Sequence, residues 1–384
     1  MSDARTSARA SGRTPGSLRI ALHVDGRRVR GSERQLLLLG AALIERGHEL
    51  HVSCVAKSPV ADAFGALGAA VSGARPRGDV DPFSLAGYVL WLRRVRPDAV
   101  LLSSWKRAAT SALGARLAGA PRAVLRVGGP HAARGGAGDR LRVHALRHWI
   151  DALWVNSDAL AQQLRAYAGG APGGGVHVIA NAVQLDTTPP YPLRTRLGLA
   201  GDARFVFTAA GLERNKGHDV LLAAVAALPG NVHLVVAGDG PERGALERQA
   251  AALGIGSRVH LLGHRDDVPA LLGAVHVFAL ATRADSTPNA ALEAMAAGLP
   301  SVITAVPGSA ELLAHTSAEP LGWVVPIDDP TALADALTAA LGNEGPVRGA
   351  RARDRVRRER TGERLAAQVE SLLRGMLAET TSPA

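Results

Sequence analysis

Short apolar runs recur along the chain, each followed by a longer stretch in which apolar residues return every three or four positions. In the first half the runs fall near 18–24 (LRIALHV), 49–55, 98–102, 123–127, 152–155 and 176–179. Helical periodicity fills the intervals near 32–46, 81–95, 107–118, 138–150 and 157–168. The second half repeats the plan, with runs near 204–209 (RFVFTA), 232–237 (VHLVVA), 258–262, 276–280 and 301–304 and helices near 217–228, 241–253 and 289–297. The runs are continuously apolar rather than alternating. That predicts strands buried on both faces, hence a parallel sheet covered by helices. Strand and helix alternate throughout, so each half is expected to be a doubly wound α/β domain.

The break between the halves is expected near 185–201 (LDTTPPYPLRTRLGLAG), where prolines 189, 190 and 192 favour an extended connection. The loop GGAPGGG at 169–175 precedes a strand and reads as a turn. This gives a disordered tail over 1–17, a first domain over 18–185, a linker over 186–201, a second domain over 202–345 and a closing segment over 346–384, with a last helix near 362–377.

Length and composition agree with two domains. A chain of 384 residues, 47% of them apolar, suffices for two cores. Cys54 is the single cysteine and lies in the apolar run HVSCVA. An intramolecular disulfide and a thiolate metal cluster are thereby excluded, and a core thiol is expected. Aromatic residues make up 3% of the chain, which argues against stacking platforms for single-stranded nucleic acid. The net charge of +10 is carried almost wholly by arginine, since Lys57, Lys106 and Lys216 are the only lysines. Nucleic acid ranks last among its readings, because no helix-turn-helix, zinc-finger or RNA-binding signature appears. Arg27–Arg34 and Arg348–Arg364 would suit an anionic membrane surface, but the second run is interspersed with acids and reads better as a solvated helix face. No apolar stretch reaches the roughly 18–20 residues of a bilayer span. The polar N-terminus lacks a secretory pattern, so a cytoplasmic location is expected.

In open parallel sheets, ligands bind outside the carboxyl ends of the strands. The loops after strands are therefore where chemistry is sought, and the most informative is TRADSTPNAALEAMAAGLP at 282–300. Pro288 and Gly298 bracket a helix near 289–297. Its start offers backbone N–H groups and a positive dipole end to a phosphate. Asp285 stands on the loop in front, before Thr287 and Asn289, and Glu293 lies one turn into the helix. Two carboxylates and an amide cradle would together hold a nucleotide-sugar. An ordinary Pro-started, Gly-stopped helix explains the same spacing. Lys216 precedes Gly217 at another helix start, where its charge would neutralise a diphosphate. In GDGPERG at 238–244 the third glycine comes one position late for the dinucleotide fingerprint, so Gly240 reads as part of a tight turn lining the cleft. The aspartates of GHRDDV at 263–268 read as helix caps rather than a metal site. In the first half, Gly31 and Ser32 open a helix, and a turn at Gly128, Gly129 and Pro130 would present His131 as a polar contact or proton handler.

These residues, with KGHDVLLAA, VVAGDGPE, RVHLLGHRDDVPALL, VPGSAELL and GWVVPIDDP in the second half and GSERQLLLLGAALIERGHEL, VNSDAL and VHVIANAV in the first, resemble a GT-B fold glycosyltransferase of family 4 over roughly 18–342. The resemblance implies two Rossmann-like domains facing a central cleft, the first holding the acceptor and the second the donor. It implies that Glu293 holds the nucleotide ribose, Asp285 faces the donor sugar and Lys216 contacts the diphosphate. It further places backbone around Asn289 and Ala290 on phosphate oxygens and His264 and Arg265 beside the base. The expected donor set is thus Arg214, Lys216, Gly240, His264, Arg265, Asp285, Thr287, Asn289, Ala290 and Glu293. On the acceptor side it is Gly31, Ser32, Gly129 and His131, with Asp285, Glu293, Lys216 and His131 as the catalytic group. Three departures stand out: Asp285 where the family usually has Glu, Gly211 where it usually has Arg (unless Arg214 substitutes), and Pro307-Gly308 in place of a glycine pair before the helix bearing Glu311. The implied reaction is retaining transfer from a nucleoside diphosphate sugar to a glycan, lipid-linked or small-molecule acceptor. No metal or other cofactor is demanded by the sequence, no nucleic acid is expected, and peripheral contact with an anionic membrane is allowed. A nucleotide-sugar 2-epimerase of similar fold and a non-catalytic sugar-nucleotide-binding protein are the alternatives.

Overall fold

A computed structural model describes residues 16–77, 81–129, 137–168, 174–185, 188–199, 201–285, 287–313 and 319–379. The chain forms two compact units, one of residues 1–182 with 362–384 and one of 183–361.

The first unit is built on strands β1 (Arg19–His23), β2 (Glu49–Ser53), β3 (Ala70–Ser72), β4 (Ala99–Leu102), β5 (Ala123–Val127), β6 (Ala152–Val155) and β7 (Val176–Val178). They pair in parallel in the order β3-β2-β1-β4-β5-β6-β7. Its helices are α1 (Gly31–Glu45), α2 (Pro59–Ala66), α3 (Pro82–Val95), α4 (Ala108–Ala118), α5 (Ala137–His148) and α6 (Asp158–Ala168). The continuous apolar runs behave as expected. Ile20, Leu22, Leu101, Val124 and Trp154 enter one core and Ala21, Val100, Leu102, Leu125 and Leu153 the other, on opposite faces of one sheet. Cys54 is buried in the first of these cores.

The second unit carries β8 (Arg204–Ala209), β9 (Val232–Ala237), β10 (Val259–Leu261), β11 (Val277–Leu280), β12 (Ser301–Thr304) and β13 (Trp323–Val325), parallel in the order β10-β9-β8-β11-β12-β13. Its helices are α7 (Leu193–Arg196), α8 (His218–Ala226), α9 (Arg243–Ala252), α10 (Val268–Leu272), α11 (Asn289–Ala296), α12 (Ser309–Leu313), α13 (Pro330–Leu341) and α14 (Glu344–Glu359). Phe205, Phe207, Phe278 and Ile303 fill one face and Val206, Val236, Val277 and Val302 the other. Each large side chain buried this way contributes about 1.5–3 kcal/mol.

The last helix, α15 (Gly362–Glu379), belongs to the first unit. Leu365, Val369, Leu373 and Met376 pack into the same core as Leu36, Leu39 and Leu43 of α1. Glu370 fastens it, with Arg46 Nη2 at 2.7 Å and His48 Nε2 at 3.3 Å from its carboxylate. Burial opposes ionisation of Glu370, but hydrogen bonds from Arg374, Arg46 and His48 carry its carboxyl down to about 2. Among the described residues no helix is long and apolar enough to cross a membrane.

Two histidines, His23 buried and His276 half-buried, set a pH dependence. Burial first, then Arg204 and Arg194, push His276 down to about 4 while its Nδ1 accepts the Phe205 N–H at 3.0 Å. Burial also brings His23 to about 4; Asp25 opposes the shift, and Arg75 and Arg107 add to it. Unfolded histidine takes its proton near pH 6.5. Between about pH 6.5 and 4 the unfolded chain therefore binds more protons, and folding stability falls as pH drops through that window. Urea midpoints measured from pH 7 to 4.5 should fall, and His276→Asn, which keeps an acceptor for Phe205, should flatten the slope. A slope unchanged by that substitution would contradict the assignment.

Candidate functional site

The second sheet reverses its strand order between β8 and β11. Brought together at that switch point are the loops that leave these two strands. After β8 the chain runs through a single turn of 3-10 helix, Arg214–Lys216, to Gly217 and α8. After β11 it runs through Asp285 and Pro288 into α11. The two loops touch backbone to backbone at Gly217. Its φ is +64°, and a Cβ there would lie 1.9 Å from the carbonyl oxygen of Ala281. Asn215 O accepts from Thr282 Oγ1 at 3.1 Å and from Arg283 N at 2.8 Å.

Lys216 Nζ stands 3.2 Å from Asp285 Oδ2, with side chains 24% and 22% exposed. The structure thus joins two residues that the sequence separates by 69 positions. Pro288 caps α11, and its carbonyl takes the amides of Ala291 and Leu292 at 3.1 and 3.2 Å. Asn289, Ala290 and Glu293 are half-buried on α11, and Thr287 is half-buried before it. Gly298 ends the helix at φ +82°, as its sequence position predicts.

The loop after β9 reaches the same edge. A Cβ at Gly238 would lie 1.9 Å from Ala210 O and one at Gly240 2.4 Å from Leu212 O, so both glycines permit close approach to the loop after β8. A Cβ at Gly211, in contrast, would meet only ordinary contacts of 3.6 Å or more, so sterics do not demand glycine there. His218 is buried and donates from Nε2 to Gly211 O at 3.0 Å; burial, its largest influence, pushes its pKa below the usual histidine value. His264 is 81% exposed beside Asp266. Arg265 lies over the Tyr191 ring at 4.9 Å and donates to Asp267 at 2.7 Å. Asp267 occupies the cap position of α10 but makes no side-chain cap bond, because its carboxylate is taken by Arg265. The cap expected of the aspartate pair is therefore not made by Asp267.

Arg283 was not among the site residues expected from the sequence. Its guanidinium forks onto Asp219 at 3.0 and 2.8 Å, donates to Asp328 at 2.7 Å and holds Arg214 O at 2.6 Å. Hydrogen bonding from Arg283 holds the Asp219 carboxyl below its usual range. One residue thus pins the loop after β11 to the loops after β8 and β13. The aspartate pair of PIDDP was its only signal: Asp328, at φ +58°, takes Arg283, and Asp329 caps α13 through the Ala332 N–H at 2.9 Å.

In the first unit, α1 starts at Gly31 with Arg30 as its cap, so Ser32 lies inside the helix. Glu33 makes the local bond, accepting from Arg30 N at 3.2 Å. Gly129 follows β5 with open space where a Cβ would be. His131 lies outside the described residues. Arg214 points to solvent while its carbonyl holds Arg283. Among the described residues, no group of three or more His, Cys, Asp and Glu is arranged to hold a metal ion.

Residues 203–343 match the family model described as glycosyl transferases group 1, and residues 29–187 match glycosyltransferase family 4. Similar in sequence is the D-inositol 3-phosphate glycosyltransferase of Xylanimonas cellulosilytica, 35% identical over 211 residues that cover 51% of this chain and 49% of that protein. The lipopolysaccharide core biosynthesis glycosyltransferase LpsE of Rhizobium meliloti is 39% identical over 111 residues, 29% of this chain and 32% of that protein. The chain thus spans about half or less of the curated relatives it matches. In fold it is similar to Anabaena Alr3699/HepE, solved in complex with UDP, with a TM-score of 0.82 at 20% identity over 93% of this chain and 100% of that one. The two family matches together run over both halves of the sequence, and the chain belongs to the GT-B glycosyltransferases of family 4.

Proposed function

We propose that the protein transfers a sugar from a nucleoside diphosphate sugar to an acceptor hydroxyl, with retention of anomeric configuration. The observation that carries this reading is the Lys216–Asp285 pair at the switch point, in front of the first turn of α11. Breaking the bond between the anomeric carbon and the diphosphate leaves negative charge on the phosphate oxygens. Lys216 and the amides at 289–290 supply fixed positive charge to that group as it departs. Asp285 accepts hydrogen bonds from the sugar hydroxyls and Glu293 from the ribose diol. Gly240 lets the nucleotide approach the backbone, and His264 and Arg265 border the base. Thr287 and Arg214 complete the donor set, with Arg214 supplying a cation that Gly211 lacks. Gly31, Ser32, Gly129 and His131 belong to the acceptor side, and the acceptor is a glycan, a lipid-linked sugar or a small molecule. Alr3699/HepE has been solved with UDP and with UDP-glucose, which makes uridine diphosphate the first nucleotide to test.

The test is a thermal-shift series with UDP, GDP and ADP, followed by product analysis with the matching sugar nucleotides and a panel of acceptors. A ligand at a hundred times its Kd adds about 2.7 kcal/mol to apparent stability. One nucleotide should raise the melting temperature, and Glu293→Ala should remove both that rise and transfer. A full shift retained in Glu293→Ala rejects the site. Conversion of the donor without acceptor would identify an epimerase, and binding without turnover a non-catalytic protein.

A further inference from the structure

The first sheet has its own switch point, between β1 and β4. The loops leaving β1, β3 and β4 bring charged side chains together there. Asp25 follows β1. It accepts from Arg75 Nη1 at 2.9 Å and Ser104 Oγ at 2.8 Å, and Arg107 Nε lies 3.2 Å away. Arg75 follows β3, and Ser104 and Arg107 follow β4. Behind Asp25 sits His23, fully buried, with Nε2 4.0 Å from the Asp25 carboxylate. Ser53 Oγ spends its hydrogen on Ala74 O at 2.7 Å, so His23 Nδ1, 3.2 Å from that oxygen, is the donor of their bond. His23 Nε2, Arg107 Nε and the Tyr88 hydroxyl, whose ring lies 5.5 Å from the His23 ring, are buried polar atoms with no hydrogen-bond partner.

Charge decides what such a place binds. One carboxylate faces two guanidiniums, so the cluster carries net positive charge. A guanidinium offers five N–H groups. Arg75 gives one hydrogen bond to Asp25, and Arg107 turns one edge to the same carboxylate. The two side chains are 14% and 24% exposed, where an anion gains more than at an open surface. Two guanidiniums arriving from different loops suit a tetrahedral oxyanion with donors on several oxygens, while the Ser104 hydroxyl gives its one hydrogen to Asp25. A flat carboxylate would be satisfied by a single fork.

We propose that Arg75 and Arg107 form a subsite for a phosphomonoester, with Asp25, itself held by the Ser104 hydroxyl, as the internal counter-ion that keeps both arginines in place. Naming that phosphate as part of the acceptor rests on the glycosyltransferase reading; the binding itself does not. The same chemistry is offered by a water-soluble phosphate ester and by a phospholipid headgroup.

The experiment titrates the full chain, in excess UDP to occupy the donor pocket, with inorganic phosphate, glycerol 3-phosphate and phosphatidic acid in phosphatidylcholine vesicles. Arg75→Gln and Arg107→Gln should each weaken phosphate binding about tenfold or more. Asp25→Asn should tighten it, whereas a purely structural ion cluster would lose stability and bind no phosphate. The UDP-induced thermal shift should stay at the wild-type value in both arginine variants. Glycerol 3-phosphate binding points to a soluble acceptor and vesicle binding to a lipid-borne one. Absence of both, or binding indifferent to both arginines, overturns the subsite. Should the UDP shift itself be missing from the wild-type chain, the donor reading fails instead.

Discussion

Replacing Lys216 with alanine should lower kcat by about a hundredfold to a thousandfold, the usual cost of one group aimed at charge that develops in a transition state. Lys216 is half-buried at a helix start, 3.2 Å from the carboxylate proposed to face the donor sugar. Its substitution also weakens UDP binding, because the ground-state diphosphate is charged too. The fall in kcat should nonetheless exceed the rise in donor KM, since leaving-group charge grows along the reaction. A double substitution with Asp285→Asn should cost little more than the worse single change if the pair works as a unit. Transfer at the wild-type rate in Lys216→Ala would remove the pair from the reaction.

Gly217→Ala should be nearly as damaging, by another route. At φ +64° a non-glycine residue costs about 1–3 kcal/mol in the backbone alone. The added Cβ would also lie 1.9 Å from Ala281 O, a backbone atom beside β11 that cannot swing aside. The loops after β8 and β11 must then part, taking Lys216 from Asp285. Urea denaturation should show the lost stability, and the UDP-induced shift should shrink with it. Gly244→Ala is the control. It lies on α9, where a Cβ meets only the flexible end of Arg248 at 3.5 Å, so stability should hold or rise. Equal behaviour of the two variants would mean that the close approach does not matter.

The central strands were legible because burial on both faces makes their runs mostly apolar, with only scattered polar residues such as Arg126 in β5 and His233 in β9. The edge strands β3 and β13 were not read, although the equally short and partly exposed edge strands β7 and β10 were, so length and exposure alone do not explain the difference. Helix α11 was legible from Pro288 and Gly298, which announce its two ends. The charged outer face of α14 was legible as a helix over 348–364, but its inner face was hidden by the size of the residues it buries. Its inner face is Gly345, Gly349, Ala352 and Val356, and a Cβ at Gly349 would lie 2.1 Å from Gly298 O. The helix sits against the end of α11 because it has almost nothing there, and a pattern of large apolar residues cannot report that. Asp285 and Lys216 could be named singly from loop chemistry, but their pairing needed the sheet order. Arg283 went unseen because its partners, Asp219 and Asp328, lie 64 and 45 positions away.

Because α15 closes the core of the first unit, the two units do not mature in the order in which they are written. A ribosome delivers all of the second unit before it delivers Leu365, Val369 and Leu373. Until then the first sheet waits with one apolar face incompletely covered, although its seven strands were made first.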